Sequence, residues 1–186
     1  MLYILPTDTC YGLACALDNV KSYEKIYKIK KRSFDKPLAI MVKSFDWLRK
    51  NTSLSSEQVD FLERYERPFT ILTHAPAIEL FLQFEDENGE YLINKDVYHE
   101  VALRVVHNPI QKKLLSQVWP IWLTSANISD TWENYTLKEI EKDFGYYIEN
   151  NMIEILSTKK PEAQVISSDI FRFIGESLEC EYVRKN

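Results

Sequence analysis

The chain opens on a short, continuous apolar run, Leu2-Tyr3-Ile4-Leu5, closed by Pro6, which predicts a buried strand. A turn-like polar patch follows, Thr7-Asp8-Thr9-Cys10-Tyr11-Gly12-Leu13, passing into small and apolar residues. From Val20 the residues Tyr23, Ile26, Tyr27 and Ile29 recur at helical spacing, so a helix capped by Asn19 is expected to run to about Arg32. Pro37 keeps the residue before it extended and ends that helix ahead of Lys36. The near-continuous run Leu38–Val42 predicts a second buried strand. Ser44 and Ser55 then cap two helices reaching about Asn51 and Tyr65, and Phe69–Thr73 is a strand after Pro68.

The acidic stretch 85–90, with Asn88-Gly89, reads as a solvated connection without function. Strand pattern returns at Val101–Val106, a helix from Asn108 or Pro109 to Val118, and a strand at Ile121–Thr124. Thr136 and Glu139 form a capping box for a helix ending near Gly145. Short strands are expected at Ile153–Leu156, Gln164–Ser167 and Phe171–Ile174. Strands and helices alternate without strict βαβ regularity. This pattern predicts one α/β domain over residues 1–186, built on a twisted, mixed sheet.

A chain of 186 residues with 45% hydrophobic and 27% charged residues is long enough for one real core. No apolar run reaches the roughly 18 residues that span a bilayer. The start carries neither a basic n-region nor a small-residue cleavage site, so a soluble cytoplasmic protein is expected. The cysteines Cys10, Cys15 and Cys180 are scattered and suit buried thiols in a reducing compartment better than disulfides or a metal knuckle. His74, His99 and His107 show no zinc-ligand spacing. The net charge of −5 argues against a protein whose main task is gripping a phosphate backbone, so any anion must sit in a local pocket.

Three polar clusters end apolar strands, where α/β sheets hold ligands. In Pro6-Thr7-Asp8-Thr9-Cys10-Tyr11-Gly12, two hydroxyls and a glycine can receive a small polar ligand, although such a turn is as readily structural. Lys30-Lys31-Arg32 with Lys36-Pro37 supplies a point charge and a guanidinium fork, the pair a triphosphate requires. Basic residues at a helix C-terminus also suit its dipole, and Lys30 and Arg32 converge only if the helix gives way there. Thr124-Ser125-Ala126-Asn127 presents a hydroxyl and a carboxamide that can hold a carboxylate or phosphate oxygen, or simply end a strand.

Taken together and in order, these residues resemble the YrdC family of threonylcarbamoyl-AMP synthases. The resemblance rests on Pro6-Thr7-Asp8-Thr9-Cys10-Tyr11-Gly12-Leu13, Lys30-Lys31-Arg32, Lys36-Pro37-Leu38, Arg67-Pro68-Phe69-Thr70, Val101-Ala102-Leu103-Arg104 and Ser125-Ala126-Asn127, and covers nearly the whole chain. It implies a YrdC-like fold around a concave, basic cavity, and adenylation of a carbamate made from L-threonine and bicarbonate, with ATP and Mg2+. By resemblance, Thr9 and Ser125 contact threonine and Arg104 holds its carboxylate. Lys30, Arg32 and Asn127 contact the ATP phosphates with Lys36 beside them, Arg172 lies by the nucleotide, and Lys30 and Arg32 stabilise the charge of the reaction. The implied downstream partners are tRNA and the transferase that moves the carbamoyl group onto adenosine.

Departures from the family pattern are visible. The chain begins almost directly on the first strand, leaving a sheet face bare or covered by a second subunit, as in a homodimer. A late Ser/Thr pair is replaced by Ala163-Gln164, Glu100 precedes the Arg104 strand, and Ile128-Ser129-Asp130-Thr131 lacks the usual glycine. Two further readings stay open: a paralogue that adenylates a different carbamate or carbamoyl donor, and a double-stranded-RNA-binding module without chemistry. Trp47, Trp119, Trp122 and Trp132 are not interleaved with Lys and Arg as a stacking platform requires, which speaks against the latter.

Overall fold

The computed structural model describes residues 1–82, 99–157, 159, 161 and 167–186. In chain order the first elements are β1 (Leu2–Pro6), β2 (Tyr11–Ala16), α1 (Val20–Lys30), β3 (Ala39–Val42), α2 (Phe45–Asn51), α3 (Ser56–Glu63) and β4 (Phe69–Thr73). Next come α4 (Pro76–Glu79), a 3₁₀ turn (Leu80–Leu82), β5 (Val101–Val105), α5 (Pro109–Gln117) and β6 (Ile121–Ser125). The last are α6 (Leu137–Glu149), β7 (Ile153–Ile155), β8 (Asp169–Phe173) and β9 (Cys180–Arg184).

Among the described residues these strands form one sheet in the order β7-β1-β2-β6-β3-β5-β4-β8-β9. The pairs β1/β7, β3/β5 and β4/β8 are parallel and the others antiparallel, so the sheet is mixed, as the irregular alternation predicts.

Local chemistry sets the helix starts. Ser44 Oγ accepts from Trp47 N at 3.1 Å and Ser55 Oγ from Gln58 N at 3.2 Å. Thr136 and Glu139 close their capping box through Glu139 N to Thr136 Oγ1 at 3.3 Å and Thr136 N to Glu139 Oε2 at 2.8 Å. Three helix ends differ from expectation, α3 stopping at Glu63 rather than Tyr65. The first helix stops at Lys30 because Lys31 takes a left-handed φ of 52°. The last runs through Gly145, where an added Cβ would meet no atom, because Tyr147 and Ile148 continue the apolar face onto the core.

Four elements were not anticipated: β2, α4, the 3₁₀ turn and β9. Small residues in Tyr11–Ala16 read as the tail of a turn, yet the hairpin register Ile4↔Leu13 and Pro6↔Tyr11 makes them a central strand. β8 begins at Asp169 rather than Phe171, because Asp169 pairs with Phe69. Of the expected Gln164–Ser167 strand, residues 164–166 lie outside the described residues, as do the acidic stretch 85–90 and Ala163-Gln164.

Side chains alternate across each strand, so the sheet has two distinct faces. Leu13, Ile40, Val42, Ile71, Leu103, Trp122 and Phe171 join the large core with Tyr23, Ile26, Leu48, Val59, Ile140 and Phe144 from α1, α2, α3 and α6. The opposite face carries a smaller cluster, Leu5, Ala14, Met41, Ile121 and Leu123, beneath Leu114 and Leu115 of α5. Beyond the reach of α5 that second face carries Gly12, Ala39 and Ala102, residues too small to fill the space above them.

Candidate active site

A cavity of about 380 Å³ lies over that uncovered part of the sheet. Its floor is made by Gly12 of β2, Ala39 of β3, Leu72 of β4, Ala102 of β5, Leu123 of β6 and Ile170 of β8. Arg104 is two positions beyond Ala102 and so shares the cavity face, while Val101 and Leu103, of the opposite parity, enter the core. The hollow is a consequence of side-chain size and strand parity.

The β1–β2 hairpin loop is organised by one hydroxyl. Thr7 Oγ1 donates to Cys10 O at 2.8 Å, accepts from Thr9 N at 3.2 Å and Cys10 N at 3.3 Å, and lies 3.1 Å from Thr9 Oγ1. Both hydroxyls are thereby fixed on the cavity wall. Gly12 is needed immediately behind them: a Cβ there meets Leu123 Cδ1 at 2.8 Å and Thr7 Cγ2 at 2.9 Å. Gly12→Ala is expected to cost about 1–3 kcal/mol by overpacking and to weaken ligand binding by displacing the Thr7 loop. Denaturant midpoint and nucleotide affinity measure this, and wild-type values for both contradict it. Cys10 in the same loop has its thiol pushed up to about 11 by burial, which keeps it protonated and unreactive at neutral pH.

The left-handed turn at Lys31 separates the two basic residues around it. Arg32 N donates back to Tyr27 O at 2.9 Å, and the chain leaves the helix with Lys30 directed inward and Arg32 directed to the cavity. Lys30 is only 1% exposed. Its Nζ donates to Ser125 O at 2.5 Å, Asn127 O at 2.6 Å and Asn127 Oδ1 at 3.1 Å. Burial pulls its pKa down to about 7, and the nearby Arg32 charge acts in the same direction. The three oxygen acceptors match the three donors of the ammonium and oppose that shift.

Lys30 thus holds the loop after β6. There Ser125 Oγ donates to Asn127 Oδ1 at 2.6 Å, and Asn127 Nδ2 donates to Thr131 O at 2.8 Å. Arg32 braces its own loop, donating from Nε to Lys36 O at 3.1 Å and from Nη2 to Pro37 O at 2.9 Å.

Arg32, Arg104, Thr9 and Ser125 therefore share one cavity wall, drawn from four separate stretches of chain. Lys30, Asn127, Lys36 and Arg172 do not reach it. Lys30 and Asn127 lie beneath the wall; Lys36 pairs with Asp130 at 3.0 Å. Arg172 pairs with Glu100 at 2.8 Å and with Glu181 at 3.4 Å.

Sequence reasoning did not assign Asp8, Glu133, Ser167, Ser168 or Arg184. Asp8 accepts a short contact from Arg104 Nη2. Glu133, the carboxylate of the wall among the described residues, accepts from Ser167 Oγ. Arg184 adds a third guanidinium, held by bonds from Nε and Nη2 to Ser168 O at 3.0 and 2.8 Å. A signal for Arg184 was present in Tyr182-Val183-Arg184, which alternates as a strand should, but the flanking Glu179 and Glu181 masked it.

A sequence profile of the Sua5/YciO/YrdC family, described as "Telomere recombination", matches residues 1–184. The chain belongs to the Sua5/YciO/YrdC family.

Relatives within that family carry informative names. A putative threonylcarbamoyl-AMP synthase of Methanocaldococcus jannaschii is 30% identical over 144 residues, covering 76% of this chain and 62% of the relative. The threonylcarbamoyl-AMP synthase of Blochmanniella pennsylvanica is 29% identical over 163 residues, covering 85% of this chain and 78% of the relative.

Among solved structures, P. abyssi Sua5 in complex with L-threonine superposes with a TM-score of 0.65 at 24% identity, over 92% of this chain and 47% of that one. E. coli YciO gives a TM-score of 0.69 at 15% identity, over 99% of this chain and 82% of that one. These likenesses establish the Sua5/YciO fold. The chain spans less than two thirds of the M. jannaschii relative and about half of P. abyssi Sua5.

Proposed function

We propose that this chain is a threonylcarbamoyl-AMP synthase, a nucleotidyltransferase forming threonylcarbamoyl-AMP and pyrophosphate from ATP, L-threonine and bicarbonate in the cytoplasm. The observation that carries this reading is the convergence of three guanidinium groups (Arg32, Arg104, Arg184) with the hydroxyls of Thr9 and Ser125 on one cavity of about 380 Å³, in a chain of this family. The names of its curated relatives support it.

The reaction suits such a cavity. The threonine amine adds to bicarbonate-derived carbon to give a carbamate, whose oxygen attacks the α-phosphorus of ATP as pyrophosphate leaves. Charge builds on the α-phosphate oxygens and on the departing pyrophosphate, and fixed cations lower that barrier by electrostatic preorganisation. Arg32 faces the phosphates in this scheme, with Lys36 and Arg172 as outer cations of the nucleotide end. Arg104 receives the threonine carboxylate, for which a guanidinium fork is the matched partner. Thr9 and Ser125 bond the remaining polar atoms of threonine.

Lys30 and Asn127 act one step behind the substrates, holding Ser125 in position. ATP enters this scheme as its Mg2+ complex, the ion being held by phosphate oxygens. Among the described residues no helix is long and apolar enough to cross a membrane. Residues 1–186 act as one YrdC-like domain, and the product passes to a transferase that modifies adenosine in tRNA.

Pyrophosphate release tests the reading. With ATP, bicarbonate and Mg2+, L-threonine is expected to support release well above serine, other amino acids or carbamoyl phosphate. Preference for carbamoyl phosphate would instead make the chain a paralogue with another donor. Salt-sensitive duplex RNA binding without nucleotide turnover would make it a binding module.

A further inference from the structure

The cavity wall contains a group that the scheme above leaves idle. Glu133 is its one carboxylate among the described residues, set in a lining that otherwise carries guanidinium groups, hydroxyls, the Cys10 thiol and apolar side chains. It sits in the connection between β6 and α6 and receives a hydrogen bond from Ser167 Oγ, which fixes its orientation. Its neighbours along the chain are also anchored. Asn134 O accepts from Tyr11 N at 3.0 Å, and Asn134 Nδ2 donates to Asp143 Oδ2 at 2.9 Å. Glu133 is therefore held through its own carboxylate and through the residue that follows it.

An anion-binding cavity has no need of a carboxylate, which repels phosphate and competes for the arginines. Its charge reaches far enough to be felt at Cys10, Lys30 and Arg184. What calls for one is the other half of an amino acid. A free α-amino acid enters as a zwitterion, and a site that pairs only its carboxylate leaves the ammonium desolvated without a partner. That ammonium must moreover lose a proton before its nitrogen can attack carbon.

We propose that Glu133 binds the α-ammonium group of the amino-acid substrate and takes the proton released when the carbamate forms. This rests on the synthase reading and adds a catalytic residue to it. In the step, the ammonium gives one proton to the Glu133 carboxylate, and the nitrogen lone pair attacks the bicarbonate carbon. The C–N bond forms, and the C–OH bond breaks. The departing hydroxide takes the second nitrogen-bound proton and leaves as water. Ammonium plus bicarbonate thus become carbamate, one water and one proton, and Glu133 holds that proton until it passes to solvent. Arg104 and Glu133 divide the zwitterion between them, so the cavity selects amino acids over other carboxylates.

The test is Glu133→Gln, which keeps an acceptor for Ser167 and the side-chain volume, with Glu133→Asp as the conservative companion. In steady-state pyrophosphate release, Glu133→Gln is expected to raise KM for L-threonine about 10–100-fold and to lower kcat, with KM for ATP unchanged. Glu133→Asp should recover part of both. Calorimetry supplies a readout independent of turnover: the wild type should bind L-threonine far more tightly than 3-hydroxybutyrate, which lacks the amine, and Glu133→Gln should abolish that preference.

A Glu133→Gln variant with wild-type threonine KM and undiminished preference for the amine would overturn the Glu133 assignment while leaving the synthase reading intact. A wild type that binds amino acids but releases no pyrophosphate with any of them would overturn the synthase reading. In that case, loss of the amine preference in Glu133→Gln would still uphold the ammonium site.

Discussion

Lys30→Ala is expected to lower the unfolding free energy by about 3 kcal/mol, from a cavity plus two backbone carbonyls that lose the donor Lys30 supplies. The carbonyls are Ser125 O and Asn127 O; the third acceptor, Asn127 Oδ1, keeps its bond from Ser125 Oγ at 2.6 Å. Lys30→Met refills the volume, so it should recover roughly half of the stability while activity stays low, because the Ser125–Asn127 loop remains unpinned. Equal stability of the alanine variant and the wild type would contradict the pinning role.

The same residue predicts a pH dependence. Burial lowers the pKa of folded Lys30 to about 7 from the ordinary 10.5, so above pH 7 the unfolded chain holds more protons than the folded one. Stability contributed by this group therefore rises with pH through that window. Between pH 6 and 8.5 the wild type should gain about 1–2 kcal/mol relative to Lys30→Met. A constant difference between the two proteins would show that the hydrogen bonds hold the ammonium at its ordinary value.

Arg32→Ala and Arg104→Ala are expected to separate the two ends of the cavity. Each should lose about 10–100-fold in affinity, the worth of a charge-assisted hydrogen-bonded contact. Arg32→Ala should act on ATP, and its stability should stay near wild type, because Lys36 O keeps its bond from Tyr27 Oη at 2.9 Å and the carbonyl of exposed Pro37 returns to water. Arg104→Ala should act on L-threonine, with a further cost from Asp8, whose carboxylate loses its partner at a site only 20% exposed. Equilibrium binding of each substrate to each variant measures the split, and a uniform loss of both substrates in both variants contradicts it.

How much of this was legible in the chain follows from the reach of each signal. Continuous apolar runs, such as that around Ile40 and Met41, and hydroxyl caps, such as Ser44, Ser55 and Thr136, act over a few residues, and the elements they mark were readable. β2 was not, because Tyr11–Ala16 owes its extended form to partners at positions 3–6 and 121–125 rather than to its own composition.

In the site, Thr9 and Ser125 stood out because short polar groups end their strands, Arg32 as part of a basic helix end, and Arg104 through the family resemblance alone. The inward turn of Lys30 did not, since it depends on a left-handed residue at Lys31 that glycine more often supplies. Glu133 lay hidden for another reason. It occupies a loop without periodicity, and only the fold brings Ser167 across to meet it.

The most direct measurement is the mass of the product formed from ATP, L-threonine, 13C-labelled bicarbonate and Mg2+. The account predicts one species containing adenylate, threonine and the labelled carbon, formed in equal amount with pyrophosphate. Pyrophosphate released without incorporation of threonine or label, or no release at all under these conditions, would contradict it.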